Sequence, residues 1–233
     1  MKKILSIDQG ELKEIDRTIM RIIDELPMIE WHVSNCMNED VLREMDYFST
    51  MPQYLTVVSP YVGEDDKLFL KPAACLPIYP QLKQYRIKNE IITTLTNVYR
   101  YDEFDNKDHF WEFTVREFVI VGTKEYVVDV LEYVLEKFKK YLMDKMLKVE
   151  SRIATDHFYS NSSNKILNRY QKANRFKKEI VVTCMEDEIV LGSFNYHGNH
   201  FSKKFGFDNN AEIVSGCIGF GLERWYRLWK MIK

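Results

Sequence analysis

Glycines, arginines, thiols and one carboxylate are the residues of this chain whose spacing suggests chemistry. In Gly216-Cys217-Ile218-Gly219-Phe220-Gly221-Leu222-Glu223-Arg224, glycines end a strand-like run and an arginine enters the first turn of a helix. Glycine lets a flat ligand approach the backbone, and a guanidinium placed there can pair with phosphate or stack on a base. A tight strand-to-helix turn with an exposed arginine would read the same way, so the run gains weight only beside other signals. One such signal is the segment Phe113 to Val121, where period-two alternation puts Phe113, Val115, Glu117, Val119 and Val121 on one face. A carboxylate in the middle of an apolar row needs a partner or a metal. Cys36, Cys75, Cys184 and Cys217 are widely scattered and form no CxxC pair. In a chain too large to need disulfide staples, that points to a reducing cytoplasm, with the thiols free or on a metal. His197 and His200 form an HxxH with no further ligand near them in sequence, and are read as hydrogen-bonding residues.

The elements that must position these groups follow from periodicity. Residues 11–50, with Ile15, Ile19, Ile22 and Ile23 as one stripe before Pro27, predict an N-terminal helical layer across 1–50. Tyr54 to Val58 and Leu68 to Leu70 read as strands. The run Leu76-Pro77-Ile78-Tyr79-Pro80 is irregular because two prolines remove donors and fix φ, and Cys75 stands at its mouth. Ile91 to Tyr101 and Phe110 to Val121 predict a hairpin around the acidic loop Asp102 to Asp108. Thr123 can cap a helix from Lys124 to about Val149, whose apolar stripe runs from Val127 to Met146 and whose outer face carries Lys137, Lys139, Lys140, Lys145 and Lys148. A second basic run spans Lys172 to Lys178 before strands resume at Ile180, and residues 124–178 read as a helical insertion. In a terminal helix, Leu222, Trp225, Leu228, Trp229 and Ile232 line one side while Glu223, Arg224 and Lys230 do not. The sum is an α+β fold, an antiparallel sheet flanked by helices.

Composition bounds what such a fold can do. With 45% hydrophobic residues among 233, the chain can bury a substantial core and reads as a single domain, 1–233, or one domain with a sizeable insertion. Lys plus Arg number 33 against 35 Asp plus Glu, a net charge of −2, which excludes a global cationic field for a polyanion such as tRNA. No stretch approaches the roughly 18 apolar residues of a membrane span, and the N-terminal apolar run breaks at Asp8, too soon for a signal peptide.

Two of these stretches resemble class II aminoacyl-tRNA synthetases. Tyr99-Arg100-Tyr101-Asp102, followed after a variable loop by Phe113 and Glu117, looks like motif 2, and Gly219-Phe220-Gly221-Leu222-Glu223-Arg224 looks like motif 3. Within that class the chain is similar to the seryl-type homologues that aminoacylate carrier proteins, the amino acid:[carrier protein] ligases. The matching phrases are Pro72 to Pro80, Arg116 to Val119, Ala154-Thr155-Asp156, Ser193 to His197, and Gly216-Cys217 with Gly219 to Trp225, together covering roughly residues 50–233.

The resemblance implies a class II fold and a zinc held by Cys75, Glu117 and Cys217. Two thiolates and a carboxylate suit Zn²⁺ and leave a fourth position for the α-amino group of a small amino acid. It implies Arg100 and Arg224 as clamps on ATP, with Asp102 and Phe113 also binding it, and Mg²⁺ sharing the phosphate charge through an acid such as Glu212. Asp156, Ser193 and Asn195 fall where the amino acid binds. The implied reaction makes an aminoacyl adenylate and passes the acyl group to the phosphopantetheine thiol of a carrier protein, whose usual acidity would suit the two basic runs. Kinship implies a homodimer. The motif 2 acid is Asp102 where the family has Glu, the loop after it is acidic, and no tRNA-binding arm precedes the domain, so tRNA charging is not expected. An aminoacyl ligase with another acceptor, or a non-catalytic protein that binds an amino acid or nucleotide, uses the same residues.

Overall fold

The computed structural model describes residues 6–59, 67–101, 110–153, 177–208 and 212–233. The hairpin loop with Asp102, the Ala154-Thr155-Asp156 phrase and residues 172–176 of the second basic run lie outside them.

A sheet of seven strands organises the chain, in the order β1-β5-β6-β10-β9-β8-β7. Its strands are β1 (Ile29–Glu30), β5 (Glu90–Tyr99), β6 (Glu112–Gly122), β7 (Lys148–Ile153), β8 (Lys177–Cys184), β9 (Asp187–Gly198) and β10 (Val214–Gly221). All pairings are antiparallel except that of β1, which runs parallel to β5 along the edge. A smaller antiparallel sheet, β2 (Cys36–Asn38), β4 (Leu68–Leu70) and β3 (Thr56–Val58), lies apart.

Alternation along β6 sorts the protein into two layers. Phe118 and Ile120 face a core built with three helices, α1 (Gln9–Ile22), α4 (Lys124–Asp144) and the terminal α6 (Leu222–Ile232). Val119 and Val121, on the other face, pack with residues drawn from 33–82 and with α5 (His200–Phe205), which supplies Phe201 and Phe205. Each helix of the first layer has a local cause. The Asp8 side chain accepts from Glu11 N–H to start α1, and Ile15 and Ile19 bury its inner face. Thr123 accepts from Tyr126 N–H and starts α4. Leu222, Trp225 and Leu228 bury α6, while Ile232 is 44% exposed at its end.

Three expectations are corrected. Residues 6–50 are only partly helical, since β1 and β2 interrupt α1, α2 (Glu39–Glu44) and α3 (Tyr47–Thr50). These strands are too short for a period-two signal and exist because β5 and β4 offer open edges. The helix α4 stops at Asp144, because Met146 adopts a left-handed φ of 62° and is 94% exposed, so the predicted stripe loses its last member. The described part of 124–178 is therefore not helical throughout. It includes β7 and the start of β8, which extend the main sheet.

Arg116, on the helical face of β6, ties α1 and β1 to the main sheet. Its Nε and Nη2 reach the two carboxylate oxygens of Asp16 in α1 at 2.6 and 2.7 Å, and its Nη1 reaches Glu30 of β1 at 2.7 Å. Removing one partner of a buried pair typically costs about 3–5 kcal/mol. Asp16→Ala is expected to lower stability by about 3 kcal/mol in urea unfolding, the lower end because Glu30 remains. Asp16→Leu combined with Arg116→Met, which leaves no buried charge, is expected to lose less.

Candidate active site

Three candidate ligands of two types converge on the second face of the sheet. The Sγ atoms of Cys75 and Cys217 and a carboxylate oxygen of Glu117 all lie within 4.8 Å of one another, and all three residues are buried. Glu117 stands at the centre of β6, opposite Thr94 of β5 and Gly219 of β10. Cys217, two residues before Gly219, shares that face by period two. Cys75 arrives from the proline-rich turn after β4, whose fold is closed by Ile78 N–H donating to the Cys75 carbonyl at 3.0 Å. Gly219 is glycine because a Cβ there would stand 2.6 Å from Glu117 Oε2. Its missing side chain makes room for the carboxylate. At Gly221 a Cβ would meet nothing within 4 Å, so the backbone is open there.

One pocket runs from this cluster to the two arginines of the sequence motifs, lined by Cys75, Glu117, Asn195 and Cys217 at one end and by Arg100, Phe113, Glu223 and Arg224 at the other. Arg100 is fixed by a bond from Nε to the Pro72 carbonyl at 2.7 Å and lies over the rings of Phe113 and Tyr54 at 5.7 and 5.9 Å. Arg224, at the start of α6, donates from Nη1 to the Val190 carbonyl at 3.3 Å.

The family model for the class II core domain of tRNA synthetases (F) matches residues 76–232. The chain belongs to the class II aminoacyl-tRNA synthetase core family. An amino acid–[acyl-carrier-protein] ligase 1 of Bradyrhizobium diazoefficiens is 28% identical over 166 residues, which are 67% of this chain and 50% of that protein. A type-2 serine–tRNA ligase of Methanococcus aeolicus is 28% identical over 170 residues, 67% of this chain and 32% of that protein. The chain thus spans at most about half the length of these curated relatives. Among solved structures, M. kandleri SerRS in complex with A. aeolicus tRNASec superposes with a TM-score of 0.77 at 19% identity, over 93% of this chain and 50% of that one. Giardia lamblia prolyl-tRNA synthetase with prolyl-adenylate does so with 0.76 at 13% identity, over 97% and 48%. The shared fold is the large antiparallel sheet flanked by helices.

Within this class II core the electrostatics of the cluster are those of anions short of a cation. Burial pushes the Glu117 carboxyl well above the usual carboxylate range, and the neighbouring Cys217 adds to the rise while Arg100 opposes it. The Cys217 thiol is pushed up by its bond with Cys75 and by burial. A divalent ion at their centre would reverse both shifts. The donor set of two sulfurs and one oxygen fits Zn²⁺ and leaves one coordination position. His197 is held neutral, its pKa lowered to about 3 by burial of the ring and, to a smaller extent, by His200.

The structure gathers Cys75, Glu117, Cys217, Arg100, Phe113, Ser193, Asn195 and Arg224 around one pocket. It does not bring Glu212 there. Glu212 is exposed before the start of β10, and Val214 to Gly221 is about 23 Å of extended chain at roughly 3.3 Å per residue. Asp102 and Asp156 lie outside the described residues. Sequence reasoning missed Glu223, treated there as an outward helix residue. Its Oε1 accepts from Thr114 N–H of β6 at 2.8 Å, and its Oε2 is buried in the pocket wall with no hydrogen-bond partner among the described residues. It also missed Lys177 and Glu179 of β8, which reach the pocket because Glu179 pairs opposite Ser193. That register is not written in the sequence.

Gly219→Ala separates stability from site geometry. The new methyl meets only the far end of a flexible side chain, so the unfolding free energy should change by about 1 kcal/mol or less. The displaced Glu117 should weaken Zn²⁺ retention in a chelator titration far more. Equal zinc affinity in mutant and parent would contradict the close packing of Glu117 on Gly219.

Proposed function

We propose that this chain activates a small amino acid with ATP as an aminoacyl adenylate and transfers the acyl group to the phosphopantetheine thiol of a carrier protein. The observation that supports this most is a single pocket with a metal-ligand cluster at one end and two arginines at the other. A zinc ion held by Cys75, Glu117 and Cys217 would supply a Lewis-acid position for the α-amino group of the amino acid. Ser193 and Asn195, opposite Gly219 and Cys217 in β9, line the space next to that position. The amino acid carboxylate attacks the α-phosphorus of ATP, forming the mixed anhydride and releasing pyrophosphate. Arg100, immobilised through Nε, and Arg224, at the start of α6, would meet phosphate oxygens on which charge develops. Phe113 offers an apolar face beneath Arg100 for a flat base. Mg²⁺ would share the phosphate charge without Glu212. A thiol then attacks the acyl carbon, and AMP leaves.

The carrier-protein acceptor is supported by the relatives named amino acid–[acyl-carrier-protein] ligases and by the modest charge of the surface. The basic face of α4 is already interleaved with acids: Lys137 pairs with Glu25 at 2.5 Å, Lys139 with Glu136 at 2.8 Å and Lys140 with Asp144 at 2.9 Å. Such a face suits a small acidic protein better than a polyanion. A reducing compartment such as the cytoplasm would keep all four cysteines as thiols. A homodimer completes the reading, and the exposed outer strand β1, with Ile29 51% exposed, is the edge it would use.

Amino-acid-dependent exchange of pyrophosphate into ATP tests the first half-reaction. Exchange is expected with one small amino acid, to fall about 10²–10³-fold in Arg224→Ala, and to be lost on removal of zinc or in Cys217→Ala. Adenylate formation followed by acylation of tRNA, and not of a phosphopantetheinylated carrier protein, would overturn the acceptor assignment. Absence of exchange with every amino acid from the folded, zinc-supplied protein would overturn the enzyme reading.

A further inference from the structure

Cys217 is contacted by two side chains, Asn195 beside the proposed amino acid position and His197, which the reaction as described does not use. Asn195 Nδ2 donates to its Sγ at 3.6 Å, and His197 Nε2 lies 3.4 Å from the same sulfur. Asn195 is placed by register, directly opposite Cys217 in the β9–β10 pair. His197 is placed by an irregularity. Tyr196 pairs with Gly216 and Gly198 with Ser215, so His197 is an extra residue with no partner on β10. A bulge of this kind re-aims a side chain. The ring is then held edge-on to Phe201 at 4.8 Å and to Tyr79 at 6.2 Å, and these two rings stack on each other at 3.8 Å. His197 is not a fourth member of the ligand cluster, since the groups in mutual reach among the described residues are Cys75, Glu117 and Cys217.

We infer that His197 and Asn195 are positioning residues for Cys217, their N–H groups holding its sulfur in the orientation in which it binds the metal. The inference rests on the zinc reading above. An N–H pointed at sulfur favours the charged form and withdraws electron density from it. A thiolate acceptor requires the proton of His197 on Nε2. Two such donors fix the direction of the sulfur and leave a bound ion more electrophilic at its open position.

Cobalt(II) is the probe, because its thiolate charge-transfer band reports the electron density on sulfur independently of any activity. The whole protein, His197→Phe, His197→Gln and Asn195→Leu are titrated with Co²⁺ and then competed with Zn²⁺ and a chelator. His197→Phe keeps the ring packing and loses the donor. It is expected to weaken metal affinity about 10–100-fold and to move the charge-transfer band to longer wavelength, while His197→Gln restores part of both. Asn195→Leu is expected to shift both in the same direction and carries the test if His197→Phe does not fold. Affinity and band position unchanged in the folded variants would overturn the positioning role and leave the zinc reading standing. Failure of the parent protein to bind either metal would overturn the zinc reading, and this inference with it.

Discussion

Two consecutive residues in the middle of β6 carry charge to opposite faces of one sheet. Arg116 is 3% exposed and Glu117 6%, and neither could stay buried without the partners that the rest of the chain brings. On one face the answer is ionic: α1 delivers Asp16 to clamp the guanidinium at two points, and β1 adds Glu30. On the other face Glu117 meets two thiols, and Arg100 of the same pocket only partly offsets the cost of its burial. Thr93 couples the halves. Its hydroxyl receives Arg116 Nη1 at 3.3 Å and donates to the Glu117 carbonyl at 2.9 Å. The N-terminal helix is thereby tied, through one strand, to the floor of the pocket.

The unbalanced face is where chemistry is supported. Two buried thiols and a carboxyl, with the Cys217 thiol and the Glu117 carboxyl pushed upward, are costly for the apo fold and favourable for a cation. Beyond it the pocket changes character within a few residues, to guanidinium, aromatic face and open glycine backbone. This order suits a substrate with an amine at one end, a carboxylate in the middle of the path, and a triphosphate at the other. Glu223 joins the start of α6 to β6 by accepting from Thr114 N–H.

Much of this was legible because it rests on local rules. Period two put Glu117 with Val119 and Val121 on one face, and the structure keeps them there. The Thr123 cap, the β5–β6 hairpin and the irregular turn at Cys75 follow from capping, alternation and proline chemistry. What was not legible depends on pairing across the chain. β1 and β2 are too short to show a period and form because longer strands leave edges for them. The end of α4 turns on one residue, Met146, in a left-handed conformation that nothing in its type announces. Glu212 sits close in sequence to Cys217 yet at the far end of a strand, so sequence proximity misplaced it. The missing side chain of Gly219 accommodates a carboxylate from the neighbouring strand, which the β6–β10 pairing brings there. The bulge that turns His197 toward Cys217 is likewise a property of the β9–β10 register and not of either strand alone.

The central claim is that Cys75, Glu117 and Cys217 hold one metal ion and leave it a position for the amino acid. X-ray absorption at the zinc edge of the loaded protein, with and without the amino acid that supports pyrophosphate exchange, tests it directly. The account predicts two sulfur neighbours at about 2.3 Å and two nitrogen or oxygen neighbours at about 2.0–2.2 Å. Amino acid should alter the nitrogen and oxygen shell and leave the sulfur shell unchanged. A shell with a third sulfur, one containing histidine, or one indifferent to the amino acid would contradict it.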